Sequence, residues 1–197
     1  LVRLKLANGD LAFPDAFIGL AENTGLVDGI GDWALRRACE DGLRWGSLRV
    51  AVNISPKQLQ HPGFAERVGR ILNETGFPAE RLELELTEHC PLTDVAQAQA
   101  NMAVLRRTGV RFALDDFGAG YSGLICLRRL PLDKIKIDRA FIESVETPEA
   151  DILVRSIISL GHQLGLTVTA EGVEAAEHQT YLAEAGCDEL QGYLFSR

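Results

Sequence analysis

Short apolar runs alternate along this chain with segments of helical spacing. Seven runs have the length and composition of β-strands, and most end in a carboxylate, an amide or a lysine, as residues 111–116 and 166–171 do. Between the runs, apolar residues recur three and four positions apart, which predicts helices over residues 94–108, 149–164 and 174–185. Because parallel strands need a crossover that is usually a helix, the alternation predicts an α/β domain with a parallel sheet.

Polar residues mark the ends of these predicted strands. They are Arg3 in the first run and, in the later runs, Asn53, Glu85, Glu88, Asp115, Asp116, Lys136, Asp138, Glu171 and Gln191. An open doubly wound sheet and an incomplete eight-stranded barrel both fit seven strands, and in both the carboxyl ends of parallel strands face one side. We therefore expect one polar site at that side.

Composition indicates one compact domain over residues 1–197, with 46% hydrophobic and 24% charged residues. No apolar run approaches the roughly 18 residues of a membrane span, and the N-terminus has no signal-peptide pattern, so we expect no membrane contact by this segment. A complete (β/α)8 barrel has about 250 residues. Since the chain starts and stops within strand patterns, we expect it to be truncated at both ends.

The cysteines and histidines exclude two common kinds of site. The four cysteines lie far apart without Cys-x-x-Cys spacing, which argues against a zinc site and a disulfide framework and fits a reducing cytoplasm. The four histidines are isolated, so we predict surface or capping roles for them. His61 and His89 lie in predicted loops, and His162 and His178 lie in predicted helices.

The net charge of −8 argues against binding to DNA or RNA, which requires a basic surface. It does not exclude a small phosphate ligand. Carboxylates that converge at one edge of a sheet repel each other unless protons or cations intervene. Their hard oxygen ligands suit Mg²⁺ or Mn²⁺.

Residues 115–123, Asp-Asp-Phe-Gly-Ala-Gly-Tyr-Ser-Gly, form the sharpest local motif. They match Gly-x-Gly-x-x-Gly after a strand, and Asp138 follows Gly118 at a distance typical of a dinucleotide fingerprint. However, Asp115 and Asp116 would repel a pyrophosphate at this position. An ordinary surface turn is a second alternative. We favour a third, two metal ligands followed by a flexible glycine-rich loop.

Adjacent aspartates point to opposite faces of a regular strand, but at a frayed strand end both reach one site. Two cations held there would suit phosphodiester hydrolysis, with Lys136 as a positive group near the phosphate or the water. The alternative for Lys136 is a solvated lysine that shares its strand face with Lys134. For Glu88, the alternative is a solvated strand face shared with Glu83 and Glu85.

Six successive motifs resemble the signatures of EAL domains, which are bacterial phosphodiesterases of cyclic di-GMP. They are Asn53 in Val-Asn-Ile-Ser, Glu85-Leu-Thr-Glu88, the motif that starts at Asp115, Lys136-Ile-Asp138, Glu171-Gly-Val-Glu174 and Gln191-Gly-Tyr-Leu-Phe-Ser-Arg197. The segment from Leu1 to Glu22 also resembles the one that begins with Glu-Ala-Leu in the family. The resemblance covers essentially the whole chain. It implies a modified TIM barrel, a (β/α)8 barrel whose antiparallel first strand would precede Leu1.

The resemblance also implies roles for individual residues. The implied metal ligands are Asn53, Glu85, Asp115, Asp116 and Glu171, and Asp115 would bridge the two cations. Lys136 resembles the residue that holds the attacking water. Glu171 could also act as a base. Glu88 resembles the residue that supports the loop after Asp116. The positions that resemble ligand contacts are Leu1, Arg3, Asp138, Glu174, Gln191, Phe195 and Arg197. For Phe195, core packing is the alternative, because aromatic residues in strands are usually buried.

Three departures from the family pattern change these expectations. Ala119 and Gly123 replace a Thr and a Ser, so we expect a more mobile loop. Gly19 replaces a Pro on the ligand side. Leu1 aligns with the Leu of Glu-Ala-Leu, so that Glu is not in the chain and we expect one coordination position to be open.

We therefore predict a cytoplasmic, metal-dependent enzyme that hydrolyses cyclic di-GMP to linear 5′-pGpG. The resemblance further implies a homodimer and fusion to sensory or GGDEF-type domains. The alternative function is a catalytically silent cyclic di-GMP receptor. The retained set of metal-ligand residues favours the enzyme, because a receptor has little need for them.

Overall fold

The structure, a computed structural model, describes residues 2–88, 93–120 and 123–196. The chain divides into two compact units. The first unit contains Leu1–Glu83 and Leu92–Val110, and the second contains Leu84–Pro91 and Arg111–Arg197. Among the described helices, none is long and apolar enough to cross a membrane.

The first unit is mainly helical. Its elements are β1 (Leu4–Lys5), β2 (Leu11–Ala12), α1 (Pro14–Thr24), α2 (Val27–Gly42), β3 (Val50–Asn53), α3 (Pro56–Leu59), α4 (Phe64–Thr75), the first two residues of β4 (Leu82–Thr87) and α5 (Val95–Arg107). Short 3-10 helices cover Leu43–Trp45 and Ala79–Arg81. The inner face of α4 buries apolar residues at helical spacing, including Phe64, Val68 and Ile71.

The first apolar run forms a strand, as predicted, but not a strand of the parallel sheet. In the described structure the run contributes only β1, which pairs antiparallel with β2 and is not part of the parallel sheet. A local turn closes this hairpin, because Asn8 Oδ1 accepts a hydrogen bond from the Asp10 amide at 3.1 Å and Gly9 adopts a φ of +92°. The described pairing of this run is therefore local, with a partner only a few residues away.

The second unit contains most of the parallel sheet. Its elements are the rest of β4, β5 (Arg111–Phe117), α6 (Gly123–Arg129), β6 (Lys134–Ile137), α7 (Arg139–Glu143), α8 (Pro148–Gln163), β7 (Thr167–Ala170), α9 (Ala176–Glu184) and β8 (Glu189–Leu190). Strand β5 pairs with β6, β6 with β7 and β7 with β8, and all three pairs are parallel. Both faces of β5 and β6 are buried, as expected for strands covered by crossover helices.

Strand order decides between the two architectures that fit the sequence. The six-stranded sheet follows the chain order β3-β4-β5-β6-β7-β8. A doubly wound sheet reverses its order at a switch point, whereas a (β/α)8 barrel keeps consecutive strands adjacent. The order therefore favours the barrel type over the doubly wound alternative.

The three predicted helices are confirmed as α5, α8 and α9. Asp94 caps α5 by accepting a hydrogen bond from the Gln97 amide at 2.9 Å, and Thr147 caps α8 through the Ala150 amide at 3.3 Å. Helix α8 packs closely on the sheet at Gly161, where a Cβ atom would lie 2.4 Å from Val168 Cγ2. A side chain at position 161 would force the helix away from β7.

Candidate active site

Charged residues lie at or near the carboxyl ends of four strands in the second unit. Glu85 lies in β4, Asp115 and Asp116 in β5, and Lys136 in β6, while Glu171 directly follows β7. Glu85, Asp115 and Lys136 are only 5%, 8% and 4% exposed. The solvated alternative for Lys136 is therefore wrong. Buried charges are costly unless they are paired, so these groups must compensate each other or bind ions.

The Lys136 ammonium lies at the centre of this cluster. Its Nζ is 2.9 Å from Glu85 Oε1, 3.2 Å from Asp115 Oδ1 and 2.5 Å from Glu171 Oε1. Burial by itself would lower the pKa of Lys136, but the three carboxylates outweigh it and hold the pKa above its ordinary value. Lys136 therefore stays positively charged at neutral pH.

Strand β5 is irregular at its two aspartates. Leu114 pairs with Ile135 and Phe117 with Ile137, so three steps along β5 correspond to two along β6, which is a β-bulge. Asp116 has a φ of +55°, in the left-handed region that costs a non-glycine residue roughly 1–2 kcal/mol. The bulge resolves the problem of adjacent carboxylates that would otherwise point to opposite faces of the strand.

Asp115, Asp116 and Glu171 form a compact carboxylate group. One oxygen atom from each residue lies within 4.8 Å of the other two. The pKa of Glu171 is raised, because burial and the charge of Asp115 outweigh the opposing effect of Lys136. The group therefore concentrates negative charge in a poorly solvated place.

The donor set of this cluster fits divalent cations. Glu85, Asp115, Asp116 and Glu171 supply four carboxylates, and Lys136 supplies one ammonium, so negative charge is in excess. Hard carboxylate oxygens are the ligands that Mg²⁺ and Mn²⁺ prefer. Burial raises the pKa of Glu171 and the charge of Asp115 adds to that effect; a bound cation would offset the charge.

Glu88 connects β4 to the glycine-rich loop. Its carboxylate accepts hydrogen bonds from the amides of Gly118 at 2.7 Å, Gly120 at 3.2 Å and Gly123 at 2.9 Å, and its own amide donates to the Asp115 carbonyl at 2.9 Å. The side chain is 1% exposed, so the solvated alternative for Glu88 is wrong. Glu83 and Glu85, at 4% and 5%, are also buried.

The same contacts argue against the dinucleotide interpretation of this loop. A pyrophosphate would need the amides of the glycine-rich turn, but the Glu88 carboxylate already accepts from three of them. At Gly123, a Cβ atom would lie 2.6 Å from Phe117 Cε2 and 3.0 Å from Glu88 Cδ, so the glycine allows close packing. Tyr121 and Ser122 lie outside the described residues.

The remaining predicted positions of the second unit lie around the sheet end. Asp138 caps α7 by accepting from the Ala140 amide at 2.8 Å, and Glu174 forms an ion pair with Arg139 at 3.1 Å. Gln191 follows β8, and its backbone bonds to Ala170 at 2.8 Å and to Val173 at 3.0 Å. Phe195 is 52% exposed, so the core-packing alternative is wrong for it.

Four predicted site residues are not among the described residues of the second unit. Asn53 is an exposed residue at the end of β3 in the first unit, and the turn after it is held by a capping box of Ser55 and Gln58. Arg3, also in the first unit, places its guanidinium 4.3 Å from the centre of the Phe13 ring. Leu1 and Arg197 lie outside the described residues, as does His89. Their predicted roles stay predictions.

The sequence did not single out two further ion-paired cations of the second unit. Lys134, 7% exposed, binds Glu189 at 2.6 Å, and Glu189 also accepts from Thr169 at 3.0 Å. Arg139 contacts Glu174, as given above. The alternating pattern in Lys134-Ile-Lys-Ile signals Lys134, because it shares a strand face with Lys136. No local pattern signals the partner of Arg139.

Comparison with known proteins supplies the family. The EAL domain profile matches residues 1–197. The chain belongs to the EAL domain family. It is 44% identical over 199 residues to an uncharacterized signaling protein of Caulobacter vibrioides and 42% identical over 203 residues to the cyclic di-GMP phosphodiesterase NbdA of Pseudomonas aeruginosa. Both matches cover the whole chain, which spans about a quarter of the length of either relative, 25% and 26%.

Solved EAL structures confirm the fold class. A complex of the phosphodiesterase MucR with cyclic di-GMP matches with a TM-score of 0.88 at 37% identity, over 100% of this chain and 82% of the other. The FimX EAL domain of Pseudomonas aeruginosa, bound to cyclic di-GMP, matches with a TM-score of 0.89 at 25% identity, over 100% and 81%. The predicted α/β fold of the TIM-barrel type is thus confirmed.

Proposed function

We propose that this EAL domain hydrolyses one phosphodiester bond of cyclic di-GMP and releases linear 5′-pGpG. The observation that carries the proposal is the buried cluster in which Lys136 contacts Glu85, Asp115 and Glu171. In the reaction, the oxygen of a water molecule forms a bond to phosphorus, and the bond from phosphorus to the 3′ oxygen breaks. The 3′ oxygen takes up a proton that the water releases. The similarity to NbdA and MucR supports this substrate.

Four carboxylates of the second unit would hold the divalent cations, Mg²⁺ or Mn²⁺. We assign Glu85, Asp115, Asp116 and Glu171 to this role, with Asp115 as the bridge, and Asn53 as a further ligand that the resemblance predicts. When bound, the cations supply Lewis-acid activation of the attacking water and offset charge at the leaving oxygen. The bulge at Asp115 and Asp116 supports the assignment, because it aims adjacent carboxylates at one place.

Lys136 orients the attacking water. An ammonium has three N–H donors, and here Glu85, Asp115 and Glu171 surround all of them. One donor must leave its carboxylate to hold the water. Glu171, whose pKa is raised by burial, is first a ligand and second a base that accepts a proton from the water.

Glu88 acts through the backbone of the loop after β5. Its three amide contacts fix the residues that directly follow Asp116. Because Asp116 is held in a strained conformation, its carboxylate depends on this support. Glu88 is therefore a positioning residue rather than a ligand.

Polar and aromatic groups at the sheet end would recognise the bases. The carboxylates of Asp138 and Glu174 can accept guanine N–H groups, the Gln191 amide can donate and accept, and the exposed Phe195 ring can stack on a base. Arg3, Arg197 and Leu1 complete the set that the resemblance predicts. Arginine in particular pairs with phosphate through its planar fork of donors.

The biological setting that we propose is second-messenger signalling in the bacterial cytoplasm. MucR, a relative at 37% identity, is named as a bifunctional diguanylate cyclase and cyclic di-GMP phosphodiesterase. By analogy, this EAL domain would work beside a GGDEF-type or sensory domain. A homodimer is the assembly that the resemblance implies.

The test is incubation of the purified protein with cyclic di-GMP and Mg²⁺ or Mn²⁺, followed by chromatography of the nucleotides. We expect linear 5′-pGpG from the wild type and none from Lys136→Ala. Tight binding of cyclic di-GMP without a linear product would reject the enzyme and support the receptor alternative.

A further inference from the structure

Arg139 connects two elements at the carboxyl end of the sheet. It is the first residue of α7, directly after Asp138, which caps that helix. Its Nε donates to Glu143 one turn later, and its Nη2 lies 3.1 Å from Glu174 Oε1 in the segment after β7. One guanidinium thus joins a helix to the loop that carries Glu171 and Glu174. A planar fork of donors is suited to two carboxylates at once.

The stem of Arg139 passes over Gly172. A Cβ atom built on Gly172 would lie 2.3 Å from Arg139 Cγ, 2.8 Å from Cβ and 2.9 Å from Cδ. Gly172 also has a φ of +69°, which glycine adopts without strain. The close contact and the positive φ both require glycine at position 172. Because glycine has no side chain, the Arg139 stem can lie against the backbone next to Glu171.

The other side of the same loop is held by the segment after β8. The Val173 amide donates to the Gln191 carbonyl and the Leu194 amide donates to the Val173 carbonyl, each at 3.0 Å. A Cβ atom on Gly192 would lie 2.1 Å from the Val173 carbonyl oxygen, so the two backbones touch. The backbone of the loop is thus fixed. The Glu174 side chain is 43% exposed, and Arg139 is the partner that orients it among the contacts of the described residues.

We propose that Arg139 is a positioning residue that sets the orientation of the Glu174 carboxylate for recognition of a guanine base, with Glu143 holding the guanidinium in place. This inference rests on the proposed function and deepens it. The observations that carry it are the bridge from Glu143 through Arg139 to Glu174 and the close passage of the stem over Gly172. Arg139 then contributes to affinity for cyclic di-GMP and not to the hydrolytic step.

The test is a steady-state kinetic comparison on the full-length protein with cyclic di-GMP and Mn²⁺. The variants are Arg139→Ala, Arg139→Lys, Glu174→Ala and the double variant Arg139→Ala/Glu174→Ala. We expect Arg139→Ala to raise KM roughly fivefold, as for loss of one well-oriented hydrogen bond, with kcat unchanged. Arg139→Lys should recover part of the effect, because one ammonium can still reach Glu174.

The double variant separates positioning from direct contact. If Arg139 acts through Glu174, its removal in the Glu174→Ala background leaves KM unchanged. If the two effects multiply instead, Arg139 touches the ligand itself and the positioning role is overturned. A KM for Arg139→Ala equal to that of the wild type would also overturn it.

Arg155→Ala is the matched control. Arg155 is an equally exposed arginine of the second unit, 48% against 50%, and it pairs with Asp151 four residues earlier on α8. Its removal should leave both KM and kcat at the wild-type values, whereas a KM rise equal to that of Arg139→Ala would count against a specific role. Failure of the wild type to turn over cyclic di-GMP would reject the proposed function, a result distinct from every outcome above.

Discussion

Lys136 and Arg139 lie three residues apart in the chain, and both contact carboxylates, yet their surroundings differ. The Lys136 side chain is 5% exposed and contacts three carboxylates, whereas the Arg139 side chain is 50% exposed and contacts two. Removing either partner of a buried ion pair lowers the stability of the protein by about 3–5 kcal/mol, because the remaining charge is buried without compensation. An exposed pair is weak and is screened by salt. Burial therefore separates the group to which we assign a role in the chemistry from the group to which we assign a role in recognition.

Removal of the buried cation should have the largest effect. Lys136→Met leaves Glu85, Asp115 and Glu171 without their common partner. We expect turnover to be lost and the free energy of unfolding, measured by urea titration in EDTA, to fall by about 3–5 kcal/mol. The control is Lys134→Met, two residues earlier on the same strand face, which loses the Glu189 pair but should retain turnover. Equal loss of activity in both variants would remove the distinction between the two lysines.

The second-largest effect should come from Asp115, the carboxylate that we propose as the bridging metal ligand. Asp115→Asn removes one charge from the compact group with Asp116 and Glu171. We expect kcat to fall by at least about 100-fold, since changes even outside the ligand set commonly cost 10–100-fold.

In the wild type, Mn²⁺ at about 100 times its Kd should add ~2.7 kcal/mol to the free energy of unfolding. The variant should show a much smaller gain, and an undiminished gain would contradict the ligand assignment. Asp10→Asn, an exposed change in the first hairpin, serves as the control.

Removal of the Glu88 carboxylate, which supports the glycine-rich loop, should have the third-largest effect. Glu88→Ala leaves the amides of Gly118, Gly120 and Gly123 without their acceptor. We expect roughly 1–3 kcal/mol lower stability and faster amide hydrogen exchange in this loop. Glu88→Gln, which keeps one acceptor oxygen, should lie between Ala and the wild type. Unchanged exchange in Glu88→Ala would show that other contacts hold the loop.

The smallest effect should come from salt, which screens the exposed ion pair between Arg139 and Glu174. The KM difference between the wild type and Arg139→Ala should narrow as NaCl is raised from about 0.05 M to about 0.5 M, because screening weakens the exposed pair with Glu174. The activity difference between the wild type and Lys136→Met should not change with salt. A salt-independent KM difference would mean that the Arg139 contact is as protected from solvent as the Lys136 cluster.

Much of the site was predictable from strand ends. Alternating apolar runs identified the residues that follow each strand, and the parallel-sheet rule placed Glu85, Asp115, Lys136 and Glu171 on one side. The bulge that turns Asp115 and Asp116 toward one place was not predictable, since it depends on pairing between β5 and β6. The sheet that the first run joins was mispredicted, because the run pairs with β2 across a local turn and the strand pattern alone does not specify a partner.

By itself the sequence determined the α/β class, the positions of α5, α8 and α9, and the identity of the charged residues at the strand ends. These follow from periodicities of two and 3.6 residues and from caps, which are properties of neighbouring residues. Only the tertiary structure decided the strand order, the burial of Lys136 and Glu88, the three amides that Glu88 accepts from, and the bridge from Arg139 to Glu174. Those contacts join residues far apart in the chain, so no local pattern can encode them.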